Sequence, residues 1–178
     1  MLRNSETTWG AVAKVLHRVI AAVLLVSMMY GWWMTRFPDR SLRFEHYGLH
    51  GSIGYDLLLL MLLRLGWRTF DRSPLPPPGT VRWEVIAAKV GHVLLYLLTI
   101  VVCIAGWLLS GNMRRPLDAP LLGIIPIPVP PVGRSYHELF EDTHKFVAYT
   151  LLALIVVHVA AALRHHLIKH NDVLRRML

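Results

Sequence analysis

The chain has 178 residues, of which 54% are hydrophobic and 17% are charged, and its formal net charge is +8. So apolar a composition excludes an ordinary soluble domain of this length. The single cysteine, Cys103, excludes an internal disulfide, and the sequence contains no Cys-x-x-Cys-His motif for covalent haem attachment. Cys103 falls inside an apolar stretch, where we expect a small buried apolar residue.

Four apolar stretches follow one another along the chain, at about 9–35, 44–67, 83–110 and 137–168. Each is longer than the roughly 20 helical residues that cross a hydrocarbon layer of about 30 Å. The first lacks a clean cleavage site of small residues, so it is interpreted as a retained span and not as a signal peptide. The sequence predicts an all-α integral membrane four-helix bundle, with one domain over residues 1–178.

Two proline-rich segments connect the spans. SPLPPPGT at 73–80 cannot continue a helix and predicts a short linker. PLDAPLLGIIPIPVPPVG at 116–133 is also rich in proline but is apolar, whereas exposed linkers are usually polar. Two interpretations are open: the segment covers a site at the outer end of the bundle, or it rests on lipid headgroups.

The charges predict an orientation in the membrane. The side that carries both termini and the 73–80 linker has twelve Lys and Arg residues and four acidic ones, whereas the opposite side has seven and six. Basic residues near membrane spans favour the cytoplasmic side. We therefore expect both termini in the cytoplasm, and membrane lipid, not nucleic acid, as the partner of the positive charge.

Histidines recur at two depths of the predicted bundle. His144 and His158 are fourteen residues apart, which is a rise of about 21 Å and almost four full helical turns, so they share one face of their helix. His17 and His92 fall at the depth of His158, near the cytoplasmic side, and His50 falls at the depth of His144. Facing imidazoles in a helical bundle can hold a haem iron axially.

The same spacing marks further candidate residues. Fourteen residues from His17 and from His92 lie Gly31 and Gly106, where a missing side chain would leave room for a macrocycle. Fourteen residues from His50 lies Arg64, whose guanidinium could pair with a haem propionate.

Each of these residue types also occurs in membrane helices without a cofactor. An intramembrane histidine can simply hydrogen-bond between helices, and glycine is common where membrane helices pack. Arg64 and Lys89 can extend to the membrane surface as ordinary interfacial cations. Zinc or copper transport is the main alternative chemistry, but zinc sites usually take three or four converging ligands, and the histidines here are arranged for pairs.

Four segments resemble the bacterial cytochrome b561 family of small dihaem, quinone-reactive membrane proteins, and the resemblance spans nearly the whole chain. They are LHRVIAAVLL, HGSIGYDLLLLMLLRL, KVGHVLLYLL and THKFVAYTLLALIVVHVAAALRHHLIKHNDVLRRM. The resemblance implies two haem b groups, one held by His17 and His158 and an outer one held by His50 and His144. It also implies that His92 lies near the cytoplasmic haem without being a ligand. The spacing of the histidines alone does not decide between His17 and His92.

Within this family the chain resembles the stand-alone members known as superoxide oxidases. That similarity implies oxidation of superoxide at the outer haem and reduction of ubiquinone. The loop at 116–133 contains more prolines than the similarity to the superoxide oxidases leads us to expect.

Residues near each haem have expected roles in such a reaction. Basic residues of the outer side could attract an anion; these are Arg36, Arg40, Arg43, Arg114, Arg115, Arg134 and Lys145. His92 and His165 are candidates to bind or protonate a quinone oxygen, because imidazole titrates near neutral pH. Lys89 is a weaker candidate for the same role.

Two rival functions remain open at this point. The chain could be a cytochrome b membrane anchor that passes electrons from a hydrogenase or dehydrogenase partner to quinone. It could also be a haem-free membrane protein that binds or transports a metal.

Overall fold

A computed structural model describes residues 1–111, 113, 117 and 119–177, with the backbone alone at Arg40. Four long α-helices account for most of these residues, and a 3-10 turn and a short helix complete them. Their bounds are Ala11–Met34 (α1), Arg40–Phe70 (α2), Arg82–Ser110 (α3), His137–Leu167 (α4) and Val173–Met177 (α5), with the 3-10 turn at Arg134–Tyr136.

The predicted all-α membrane architecture is confirmed. Over the described residues, four helices are long and apolar enough to cross a membrane, and an isolated bridge between Leu121 and Ile125 is the only β pairing. Most side chains of these four helices are not buried within the protein, as expected for a bundle whose outer surface faces lipid.

Local signals explain where the second helix starts. Asp39 is its N-cap, because its carboxylate accepts hydrogen bonds from the backbone N–H groups of Ser41 and Leu42 and from the Ser41 hydroxyl. These bonds hold the pKa of Asp39 below its ordinary value. The helix therefore begins at residue 40, ahead of the apolar stretch from which it was predicted.

Consecutive helices are antiparallel neighbours: α1 packs on α2 and α2 on α3 across short connections, and α3 packs on α4 across a longer one. The α1–α2 and α3–α4 connections lie at one end of the bundle, here named the loop end. The opposite end, named the termini end, holds the N-terminus, the C-terminus and the α2–α3 linker. There Asn4 donates its backbone N–H to Asp71, and Arg176 donates to the Leu75 carbonyl.

A hydrophobic core fills the middle of the bundle. Leu151 of α4 is fully buried and packs in one cluster with Ile20 and Leu24 of α1 and Leu57 and Met61 of α2. Leu151 is seven residues from His144 and seven from His158. The core therefore separates two levels of the bundle, each of which contains a histidine of α4 facing other helices.

Candidate functional site: two pairs of facing histidines

His50 of α2 and His144 of α4 face each other near the loop end. Their ring centroids are 6.1 Å apart and their planes are perpendicular. The Nδ1 atom of His144 lies 2.9 Å from the carbonyl oxygen of Val102, and that of His50 lies 3.5 Å from the Ser27 hydroxyl. A backbone carbonyl can only accept, so His144 carries its proton on Nδ1 and keeps a lone pair on Nε2.

Two glycines pack directly against this loop-end pair. A Cβ atom added at Gly31 would come within 3.0 Å of His50 Cε1, and one added at Gly106 within 3.1 Å of His144 Cε1. Both distances are tighter than ordinary van der Waals contact. The absence of a side chain at these two positions therefore creates the space in which the imidazoles stand.

A second group of histidines lies near the termini end. His17 of α1 is 6.4 Å from His158 of α4, measured between ring centroids, and His92 of α3 is 5.5 Å from the same ring. The structure thus brings together all three histidines that the sequence placed at this depth. His17 and His158 form the termini-end pair, and the ring of His92 also lies against that of His158.

Arg64 contacts the termini-end pair. Its Nη1 lies 3.0 Å from Nδ1 of His17, and its guanidinium lies over the ring of Tyr96, 5.3 Å from the centroid. Arg68 is placed similarly, 5.5 Å from the same ring. Two cations therefore stand close to the termini-end pair, and both line a small cavity together with Trp9, Trp67 and Asp71.

The other two candidate residues lie further from the pair. Lys89 is exposed on α3. His165 is half-buried, seven residues beyond His158 on α4, and its Nδ1 is 2.8 Å from the side-chain amide of Asn171. Seven residues correspond to about 10 Å along a helix, so His165 stands toward the end of the bundle and not at the level of His92.

The basic residues predicted at the loop end differ in their exposure and in the groups that they contact. Lys145 forms an ion pair with Glu141, and Arg43 donates to the Phe37 carbonyl. Arg36 is exposed, donates a hydrogen bond to the Trp32 carbonyl and lies over the Trp32 ring, and Arg134 is exposed. Arg114, Arg115 and the side chain of Arg40 lie outside the described residues.

Some neighbours of the histidines were not predicted from the sequence. Tyr30 hydrogen-bonds with Nδ1 of His46 at 2.6 Å, and its ring stacks beside His50 with centroids 6.5 Å apart. Ser27 is four residues before Gly31, and Tyr96 is four residues after His92. That spacing places each on the same helical face as a residue already identified, which is the signal that could have found them.

A family model described as prokaryotic cytochrome b561 matches residues 8–178. The chain belongs to this family. Among curated proteins it is similar to cytochrome b561 homolog 2 of Escherichia coli strain K12, with 28% identity over 177 residues that cover 98% of this chain and 93% of the relative. It is also similar to cytochrome b561 homolog 1 of the same strain, with 24% identity over 160 residues that cover 90% and 89%.

Membership makes the chain a haem b-binding membrane protein of electron transfer, and the histidine pairs fit that cofactor. An iron bonded to two imidazole nitrogens at about 2 Å each holds the two ring centres roughly 6 Å apart. The two pairs have separations of 6.1 Å and 6.4 Å. Over the described residues, no group of three or more His, Cys, Asp or Glu side chains is arranged to hold a bare metal ion.

Proposed function

We propose that this protein is a dihaem cytochrome of the bacterial inner membrane that carries electrons from the periplasmic side to ubiquinone, with both termini in the cytoplasm. The observation that carries the proposal is the presence of two facing histidine pairs at two levels of one bundle. His50 and His144 would ligate the iron of one haem b, and His17 and His158 that of the other. Bound haem supplies a one-electron carrier at each level.

The residues around each pair have distinct roles in this proposal. The Val102 carbonyl fixes the tautomer of His144, so its Nε2 is ready to bind a metal. Gly31 and Gly106 keep the space beside the loop-end imidazoles free of side chains. At the other level, the contact between Arg64 and His17 Nδ1 requires that nitrogen to accept a hydrogen bond. If His17 held an iron through its other ring nitrogen, Nδ1 would carry the proton, and Arg64 would be available to pair with a haem carboxylate.

Superoxide is the proposed electron donor. Two superoxide anions each give up one electron and leave as dioxygen, while one ubiquinone takes two electrons and two protons and becomes ubiquinol. The similarity to the superoxide oxidases supports this donor. The exposed Arg36 and Arg134 at the loop end supply positive charge that an anion could approach, whereas the charge of Lys145 is paired with that of Glu141.

Ubiquinone is the proposed acceptor at the termini end. His92 stands against the termini-end pair, where an imidazole can donate a hydrogen bond to a quinone oxygen and deliver a proton. His165 and the exposed Lys89 lie nearer the end of the bundle, where they can pass protons from the aqueous phase toward that level.

A direct test is to add superoxide to the purified protein in lipid nanodiscs and to follow the haem absorbance with and without ubiquinone. We expect rapid haem reduction that superoxide dismutase abolishes, followed by reoxidation when ubiquinone is present. Reduction no faster than in the dismutase control would refute superoxide as the donor. If a redox protein from the same membranes then restored fast reduction, the anchor-subunit function would replace this one.

A further inference from the structure

Residues 119–132, in the connection between α3 and α4, contact the side of the bundle well below the loop end. The tip of this segment is a tight turn at 121–125, and the backbone N–H of Leu122 donates to Asp56 Oδ1 at 2.8 Å. Asp56 is in the middle of the membrane-spanning stretch Ser41–Phe70 of α2. It lies six residues beyond His50, which is about 9 Å further from the loop end. The tip is therefore held against the membrane-embedded part of a helix.

Further contacts hold residues 119 and 128 of the segment against α2 and α3. A Cβ atom at Gly51 would come within 3.0 Å of the Ala119 side chain, and Ala119 is buried. On the other side, Trp107 donates its indole N–H to the carbonyl oxygen of Pro128 at 3.0 Å. Tryptophan favours the boundary between hydrocarbon and headgroups, so the chain crosses that boundary near Pro128 and the turn lies beyond it.

The tip presents apolar side chains outward. The exposed fraction is 57% for Leu122, 80% for Ile124 and 44% for Ile125. No Asp, Glu, Lys or Arg occurs between residues 119 and 133. An apolar surface of this kind in water would be costly, whereas contact with acyl chains would remove it from water.

The backbone of the tip is adapted to the same surroundings. The N–H groups of Leu121 and Ile125 bond to the carbonyls of Ile125 and Leu121, and that of Ile124 also bonds to Leu121. The prolines of the segment have no N–H group to satisfy; they are Pro120, Pro126, Pro128, Pro130 and Pro131. Within the tip, the N–H groups of Leu121, Leu122, Ile124 and Ile125 all have acceptors in the protein, which reduces the cost of placing non-helical backbone in hydrocarbon.

We infer that residues 119–132 form a re-entrant element whose tip is buried among the acyl chains of the membrane leaflet at the loop end, with Asp56 as its anchor. The sequence left open whether this segment covers a site or rests on lipid headgroups. The inference makes lipid its partner, and places the tip at the depth of the acyl chains, below the headgroups.

The test measures the depth of the tip directly. A fluorophore is attached to Ile124→Cys in a Cys103→Ala background, and the protein is reconstituted in nanodiscs. We expect lipids with a nitroxide on the acyl chain to quench it severalfold more than they quench the same label at Ser135→Cys, an exposed position at the loop end. Aqueous iodide should show the opposite order. Strong iodide quenching at residue 124, or protection from both quenchers, would overturn the inference.

Two further measurements guard against misfolded variants and identify the anchor. In the unmodified protein, a lipid with a diazirine on its acyl chain should crosslink to peptides that contain residues 121–125, and labelling of those peptides by a water-soluble diazirine alone would contradict this. In the labelled protein, Asp56→Ala should raise iodide quenching at residue 124, whereas Asp56→Asn, which keeps an acceptor oxygen, should leave it low. Equal quenching in both variants would remove Asp56 as the anchor.

Discussion

The imidazoles of His50 and His144 stand perpendicular to each other with their ring centroids 6.1 Å apart, and Gly31 and Gly106 pack against them from two other helices. All four long helices of the bundle thus contribute to one level. The arrangement leaves Nε2 of His144 free, because its Nδ1 bonds to a backbone carbonyl. A metal ligand needs this combination of an oriented ring, a fixed tautomer and nearby space.

Replacement of Gly106 by alanine should weaken haem binding at the loop end. The new Cβ would lie 3.1 Å from His144 Cε1, and overpacking of this kind costs about 1–3 kcal/mol. We expect the haem content per chain to fall and Gly106→Leu to lower it further. Gly91→Ala on the same helix is the matched control, since nothing lies within 4 Å of its Cβ position. If Gly91→Ala lost as much haem as Gly106→Ala, space at the loop-end pair would not be the cause.

Replacement of Arg64 by glutamine should make the haem at the termini end harder to reduce. A cation next to a haem favours the form with one more electron, so its loss should lower that reduction potential by on the order of tens of millivolts. A redox titration in nanodiscs would measure this, with the potential of the loop-end haem as an internal reference. Arg18→Gln removes an exposed cation from the position next to His17. An equal shift in that control would indicate a general charge effect and not a contact with haem.

Replacement of His92 by asparagine should leave both haems bound and slow the reduction of ubiquinone. Loss of a proton donor placed next to a reacting group typically costs on the order of a hundredfold or more in rate. Stopped-flow reoxidation of the haems by ubiquinone would measure the step, and reduction of the loop-end haem should keep its rate. If His92→Asn instead lost one haem, then His92, which lies 5.5 Å from His158, would be the ligand in place of His17.

The helical spacing of the histidines predicted much of this site. A fourteen-residue interval places two side chains on one face of a helix, so His144 and His158, and the pairs of His17 with Gly31 and His92 with Gly106, could be recognised before the fold was known. Spacing cannot show which of His17 and His92 opposes His158, because that depends on how the helices rotate about their axes. The structure places both against it.

Contacts between distant segments could not be predicted in the same way. Arg64 lies at the depth that its spacing from His50 predicts, but its contact with His17 depends on the rotamer of a long side chain. No role for Asp56 follows from the sequence, because its partner is a backbone N–H of a loop sixty-six residues away. Loop conformation follows from turn geometry and packing, which a periodic pattern does not encode.

Replacement of Glu84 by glutamine should destabilise the termini end. Glu84 is buried, and its two carboxylate oxygens accept from Arg164 at 2.8 Å and from Lys169 at 2.6 Å, which ties the start of α3 to the end of α4. Removal of the Glu84 charge leaves the two partly exposed cations without their shared partner. We expect a lower thermal unfolding midpoint with unchanged haem spectra. Glu138→Gln, an exposed position in the first turn of α4, should leave the midpoint unchanged; an equal loss there would argue against a specific role for Glu84.

The most direct measurement is the number of haem b groups per chain, determined by pyridine haemochrome absorbance and protein quantification, together with electron paramagnetic resonance of the oxidised protein. We predict two low-spin, bis-histidine haems in the native chain and one in each of the variants His17→Ala, His158→Ala, His50→Ala and His144→Ala. His46→Ala, which removes the partner of Tyr30, should keep both. One haem or none in the native chain, or two haems in any of the four variants, would contradict the assignment of these histidines as ligands.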